Sequence, residues 1–139
     1  MKPMLLINVF LLLFAFTTNV QAMELTLYGG PTQIGKFEID EETQRCYNLY
    51  NCWGGPNKSA TWNSVKPRTN VVFYSHPNCQ THQAVGKGTP DGSLYFSDVN
   101  FPQVVMAFMI WESGKYATSG IEDICHQDEN SVVNSTNAT

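Results

Sequence analysis

The chain has little positive charge, with 8 Lys and Arg in 139 residues against 12 Asp and Glu, and no basic cluster anywhere. A surface of that kind has nothing to hold a phosphate backbone or an anionic headgroup, so neither nucleic acid nor anionic lipid is an expected partner. The four cysteines lack the close CxxC pairs of zinc modules. There is no GxSxG nucleophile elbow, and Gly86-Lys87-Gly88 has neither the spacing nor the following helix of a phosphate loop. Beyond residue 22 no uncharged apolar run approaches the roughly 20 residues needed to cross a bilayer, so no transmembrane anchor is expected. Between Glu24 and Trp111 no helix of normal length fits comfortably between the breakers. Gly29-Gly30-Pro31, Gly54-Gly55-Pro56-Asn57, His76-Pro77-Asn78, Thr89-Pro90-Asp91-Gly92 and Phe101-Pro102 interrupt the chain at short intervals.

What is present begins with an export signal. Lys2, an apolar run over residues 4–16, and the small residues of Val20-Gln21-Ala22 form a charged region, a hydrophobic region and a cleavage site, so residues 1–22 read as a secretory signal peptide and the mature chain is expected to begin at Met23. Its removal leaves 117 residues with seven cations and twelve acids, a net charge of −5 and the length of one domain. All four cysteines, Cys46, Cys52, Cys79 and Cys125, lie in that part. An even count in an oxidising compartment predicts two disulfides rather than free thiols, and four cysteines allow three pairings. Sequons stand at Asn57, Asn134 and Asn137, which predicts a glycoprotein. Residues 127–139 are mostly Asn, Ser, Thr and acids with little to bury, and are expected to be a flexible tail that carries glycan.

Between the breakers the chain favours strands. Leu25-Thr26-Leu27-Tyr28, residues 35–39, Val71-Val72-Phe73-Tyr74, Ser93-Leu94-Tyr95-Phe96 and residues 104–111 are rich in β-branched and aromatic side chains. The last of these would also suit a short buried helix, and its valines, isoleucine, tryptophan and preceding proline favour a strand. Many short strands point to an all-β antiparallel sandwich. Laid on itself with an offset of 46 residues, the chain matches Leu27-Tyr28-Gly29-Gly30-Pro31 with Phe73-Tyr74-Ser75-His76-Pro77, Pro56 with Pro102, and Thr61-Trp62 with Ala107-Phe108. A unit of that size has the length of one four-stranded Greek key, and two such units packed face to face would bury each other.

These segments resemble the βγ-crystallin-like fold in its microbial secreted branch, which includes killer-toxin-like and small inhibitor proteins. The resemblance is carried by Leu25-Thr26-Leu27-Tyr28 with Gly35, by Val72-Phe73-Tyr74-Ser75 with Asn78-Cys79, and by Cys46-Tyr47-Asn48-Leu49, Ser59-Ala60-Thr61-Trp62 and Phe108-Met109-Ile110-Trp111. It implies two Greek-key motifs, a hairpin in which Gly35 takes a conformation costly for other residues, and a departure in the second half, where Thr81 takes its place. It also implies a Cys46 to Cys79 bond facing across the sandwich, with Cys52 bonded to Cys125. Family members bind calcium through paired Asp or Asn followed by Ser or Thr. Lys58 and the apolar run from Val104 onward spoil both corresponding stretches, so no cofactor is expected, with calcium the one ion considered.

The remaining candidates are few. His76, His82 and His126 are expected to be surface residues, and Asp40-Glu41-Glu42 a solvated acidic turn with no buried member. Trp62 and Trp111 sit in apolar strand contexts and are expected in the core. Trp53 follows Cys52 and precedes Gly54 and Gly55, so Trp53, Gly54 and Gly55 form the expected partner-binding loop, because tryptophan dominates interface hot spots. The expected function is that of a secreted, monomeric, non-enzymatic protein acting on a protein or cell-surface macromolecule as a toxin, effector or antimicrobial. A protease inhibitor presenting the 89–92 loop or the Gly54 loop is the alternative from another class, and a secreted hydrolase a third.

Overall fold

Alternation along β1 (Met23–Tyr28) turns Met23, Leu25 and Leu27 to one side and Glu24, Thr26 and Tyr28 to the other. The same period recurs through a computed structural model that describes residues 21–52 and 55–125. β2 (Gln33–Ile39), β3 (Cys46–Asn48), β4 (Ser59–Asn63), β5 (Asn70–His76), β6 (Gln80–Gly86), β7 (Gly92–Tyr95), β8 (Ala107–Trp111) and β9 (Ile121–Asp123) follow, with short 3-10 turns at Pro77–Cys79 and Phe96–Val99. The fold is all-β. Residues 104–106 stay outside β8, and that segment is a strand rather than a helix. Among the described residues no helix is long and apolar enough to cross a membrane. Residues 1–20 of the expected signal and the whole expected tail lie outside the described residues.

The strands form two sheets, ordered β2-β1-β4-β7 and β6-β5-β8-β3-β9. All pairings are antiparallel except β3 with β9. The first four strands and the next four occupy matching places, and each group lends its third strand to the other group's sheet. Leu25 and Leu27 on β1 correspond to Val71 and Phe73 on β5, at the expected offset of 46. Their partners Trp62 and Ala60 correspond to Ile110 and Phe108, at an offset of 48. The match of Thr61-Trp62 with Ala107-Phe108 is therefore two residues out. An even slip preserves which side chains face inward, so the pattern survived the error.

Between the sheets lies the core. Leu25, Leu27, Ala60 and Trp62 meet Val71, Phe73, Phe108 and Ile110, all fully or nearly fully buried. Ring contacts run from Trp62 to Phe73 at 6.0 Å, on to Phe96 at 5.3 Å and to Phe101 at 5.1 Å. Trp62 Nε1 donates to the Gly88 carbonyl at 2.7 Å, which satisfies the one polar atom of the buried indole. Trp111 is only half-buried, at the edge of a second apolar cluster on the outer side of the five-stranded sheet, formed by Cys46, Val72, Tyr74, Ala107 and Met109.

Cys46 is bonded to Cys79 and Cys52 to Cys125. The pairing is the one the resemblance implies, but the first bond does not cross the sandwich. Cys46 belongs to the outer cluster, and Cys79 packs on that cluster from the turn between β5 and β6. The bond thus ties β3 to the β5–β6 turn along the outside of one sheet. In the first hairpin the left-handed glycine is Gly30, with φ of 116°, whereas Gly35 lies in β2 opposite Leu27, beside a bulge.

Candidate functional site

Trp53 and Gly54 lie outside the described residues. Gly55 is half-buried, and a methyl group added there would meet nothing within 4 Å. The chain entering the expected loop is anchored, because Cys52 is bonded to Cys125 and its N–H donates to the Leu49 carbonyl. The sequons at Asn134 and Asn137, and His126, are likewise outside the described residues.

Asn57 has a structural role that neither the sequon nor the calcium pattern foresees. Its side chain is fully buried, its Oδ1 accepts from the Val105 N–H at 2.8 Å, and its main-chain N–H donates to the Gln103 carbonyl. The carboxamide fastens the approach to β4 to the approach to β8. A glycan on Nδ2, which is itself buried, has no room in this fold. The oxygen that would face a calcium ion is already committed to the main chain.

The other sequence candidates are dispersed. His76 and His82 are exposed, and His76 Nδ1 lies 2.6 Å from Thr81 Oγ1. The acidic turn departs from the expectation in one member. Glu41 is half-buried, its carboxylate accepts from the Lys66 N–H at 2.8 Å, and burial raises its carboxyl above the ordinary range. Glu42 pairs with Arg45 at 2.6 Å. Among the described residues no group of three His, Cys, Asp or Glu side chains is arranged to hold a metal.

The outer face of the four-stranded sheet is a more promising surface, and strand register assembles it. Tyr28 lies opposite Ser59, which lies opposite Tyr95, and the next outward row runs through Thr26, Thr61 and Ser93. Inward residues of these three strands are Leu27, Ala60 and Leu94, so across β1, β4 and β7 the outward set is hydroxyl-bearing or aromatic in both rows, and β2 adds Gln33 and Lys36 at their far end. With strands ~4.8 Å apart, the two tyrosines stand ~10 Å apart across the Ser59 strand. Between them is a shallow groove of about 290 Å³, whose lining also includes Gly30 and Pro31. Tyr95 is 62% exposed, a large ring left in solvent on a rigid strand. One row further, Glu24 faces Asn63 and is paired with Lys36 at 2.9 Å.

A second presented aromatic is Tyr116, on the loop joining β8 to β9. Gln44 organises that loop. Its Nε2 donates to the carbonyls of Gly114 and Tyr116, and its Oε1 accepts from the N–H groups of Glu112 and Ser113. All four bonding positions of the carboxamide are filled by one segment. The chain matches no family model, no curated protein and no solved structure.

Proposed function

We propose that this is a secreted, non-enzymatic binding protein that acts on a macromolecular target outside the cell, in the manner of a toxin, effector or antimicrobial. The observation that carries the reading is the outer sheet face, where Tyr28 and Tyr95 flank a floor of Ser59, Thr61 and Ser93. Rigid aromatics lose little conformational freedom on binding and contribute large contact area, the qualities of a recognition surface. The two disulfides staple the five-stranded half of a small scaffold and accord with export directed by residues 1–22. The exchange of third strands between two four-strand units supports the βγ-crystallin-like, Greek-key reading of the fold.

The test is capture of a partner from the surface of candidate target cells by the oxidised mature protein and by Tyr95→Ala. Binding that Tyr95→Ala weakens at least severalfold is the expected result; turnover of a peptide or polysaccharide substrate would replace this reading with a hydrolase. The inhibitor alternative has one supporting observation. The 89–92 loop is pinned by the Val65 N–H on the Pro90 carbonyl at 3.0 Å and the Ser64 N–H on Asp91 Oδ1 at 2.9 Å, and an inhibitory loop needs that rigidity. Stoichiometric inhibition across a protease panel would decide for it.

A further inference from the structure

We propose that the groove between Tyr28 and Tyr95 is a subsite for an uncharged saccharide, an inference that rests on this sheet face being the contact surface. Three features select that chemistry. First, the lining contains no Asp, Glu, Lys, Arg or His: its polar side chains are the hydroxyls of Ser59, Thr61, Ser93 and the two tyrosines. Hydroxyls both donate and accept, so such a lining matches a polyol, whose own hydroxyls do the same. An anionic ligand finds no cation in the lining, and Lys36, which lies across from Thr26 on β2, is held by Glu24.

Second, the rings are placed for stacking. A pyranose presents a face of C–H groups carrying partial positive charge, and the face of a tyrosine ring carries partial negative charge. Tyr28 and Tyr95 flank the Ser59 strand from its two neighbours, so a sugar lying over Ser59 has a ring on either side and a hydroxyl floor beneath. Third, the size fits. A groove of about 290 Å³ is just under the ~300 to 1,000 Å³ of enclosed small-ligand sites, which suits one or two sugar rings of a longer chain passing across an open face. A protein helix would need an apolar floor, and a protein strand would need an unpaired sheet edge. β4, which carries Ser59 and Thr61 at the centre of the groove, is paired on each side; the sheet's nearer edge is at β7, so an added strand would lie beside the groove and not over it.

Lys58 is the neighbouring charge. It is exposed and stands near Gly30 at the rim, so the competing occupant is an acidic glycan. The experiment is calorimetric titration of the oxidised mature protein with two sets of oligosaccharides. One is neutral (gluco-, manno-, galacto- and N-acetylglucosamine-based) and the other is sulfated or uronate-containing. At least one neutral series is expected to bind, with Kd in the micromolar to millimolar range. Tyr95→Ala, a change at an exposed ring, is expected to weaken it about tenfold, and Thr61→Val, which keeps shape and removes the hydroxyl, by about threefold. Tyr116→Ala, remote from the groove, is expected to leave it unchanged.

Absence of neutral binding at about 10 mM saccharide overturns the proposal. So does binding confined to acidic glycans and lost in Lys58→Ala, or neutral binding that neither Tyr95→Ala nor Thr61→Val alters. Capture of a protein partner that survives Tyr95→Ala and is lost in Tyr116→Ala overturns the saccharide site while leaving a macromolecular binding function standing.

Discussion

Gln44 holds Tyr116 in place: its Nε2 donates to the Tyr116 main-chain carbonyl at 2.7 Å while the Tyr116 ring stays 82% exposed. A buried carboxamide thereby fixes the backbone of a loop whose side chain is given to solvent. Gln44 is itself in the left-handed region, with φ of 59°, and its main-chain N–H donates to the Ile110 carbonyl while its own carbonyl accepts from Ser119.

Gln44→Glu puts a carboxylate oxygen where Nε2 now donates to the carbonyls of Gly114 and Tyr116. Two acceptors then lose a partner and face a repelling oxygen, at an expected cost of about 2 to 4 kcal/mol. Urea denaturation reads the cost, and cleavage within residues 113–118 by limited proteolysis reports the freed loop. An unchanged midpoint would show that the carboxamide does not organise the segment.

The β1 and β5 strands are legible because their apolar residues alternate or run together, and the matching turns reveal the repeat. β6 is not: Gln80-Thr81-His82-Gln83 is a polar edge strand, defined by pairing with β5 rather than by any pattern of its own. β3 and β9 are three residues long, too short for a period to show. The hydroxyl face is half-legible. Ser59 alternates with Thr61 and Ser93 with Tyr95, but that these strands are neighbours, with Tyr28 beyond, is long-range pairing that no local pattern encodes. Gln44 has no sequence mark, because one glutamine in a loop looks like any other until its four partners are in place.

Close packing of glycine against Trp62 yields a second prediction. A methyl group at Gly92 would lie 2.5 Å from the indole and 2.6 Å from the Gly88 carbonyl oxygen, and one at Gly86 would lie 2.4 Å from the indole. Trp62 is walled in by the core and bonded to Gly88, so it has no route aside. Gly92→Ala is expected to destabilise by about 2 kcal/mol or more, whereas Gly114→Ala, with nothing within 4 Å, is expected to change stability by less than about 0.5 kcal/mol. Thermal melts of the two variants check the contrast.

Two glutamates near Lys66 predict opposite pH effects. Glu112 accepts from Lys66 Nζ and from Thr43 Oγ1, which hold its carboxyl below the ordinary range, so its stabilising effect is full above the unfolded-state pKa and is lost as pH falls through the folded one. Glu41 is raised by burial, so its effect is reversed: stability declines as pH rises from the ordinary carboxylate pKa through the raised one. Glu112→Gln is expected to flatten the loss on acidification. Glu41→Gln, which keeps an acceptor for the Lys66 N–H, is expected to remove the decline toward neutral pH. Urea midpoints between about pH 3 and pH 7 separate the two, and parallel profiles for both variants would refute the assignment.

The buried carboxamide of Asn57 supplies the last prediction. Secretion through a glycosylating host is expected to leave Asn57 unmodified, because its side chain is enclosed and its Oδ1 holds the Val105 N–H. Asn57→Ala removes that acceptor and leaves a buried N–H without a partner, at an expected cost of about 1 to 3 kcal/mol. Asn57→Asp keeps an oxygen for Val105 but places a carboxylate in a fully buried site, so it is expected to destabilise at neutral pH and to recover as the carboxyl is protonated. Peptide mass mapping reads occupancy, and melts of Asn57→Asp at about pH 4 and pH 7 read the titration. A folded protein carrying glycan on Asn57 would mean that this side chain faces solvent and that the link between the approaches to β4 and β8 is made some other way.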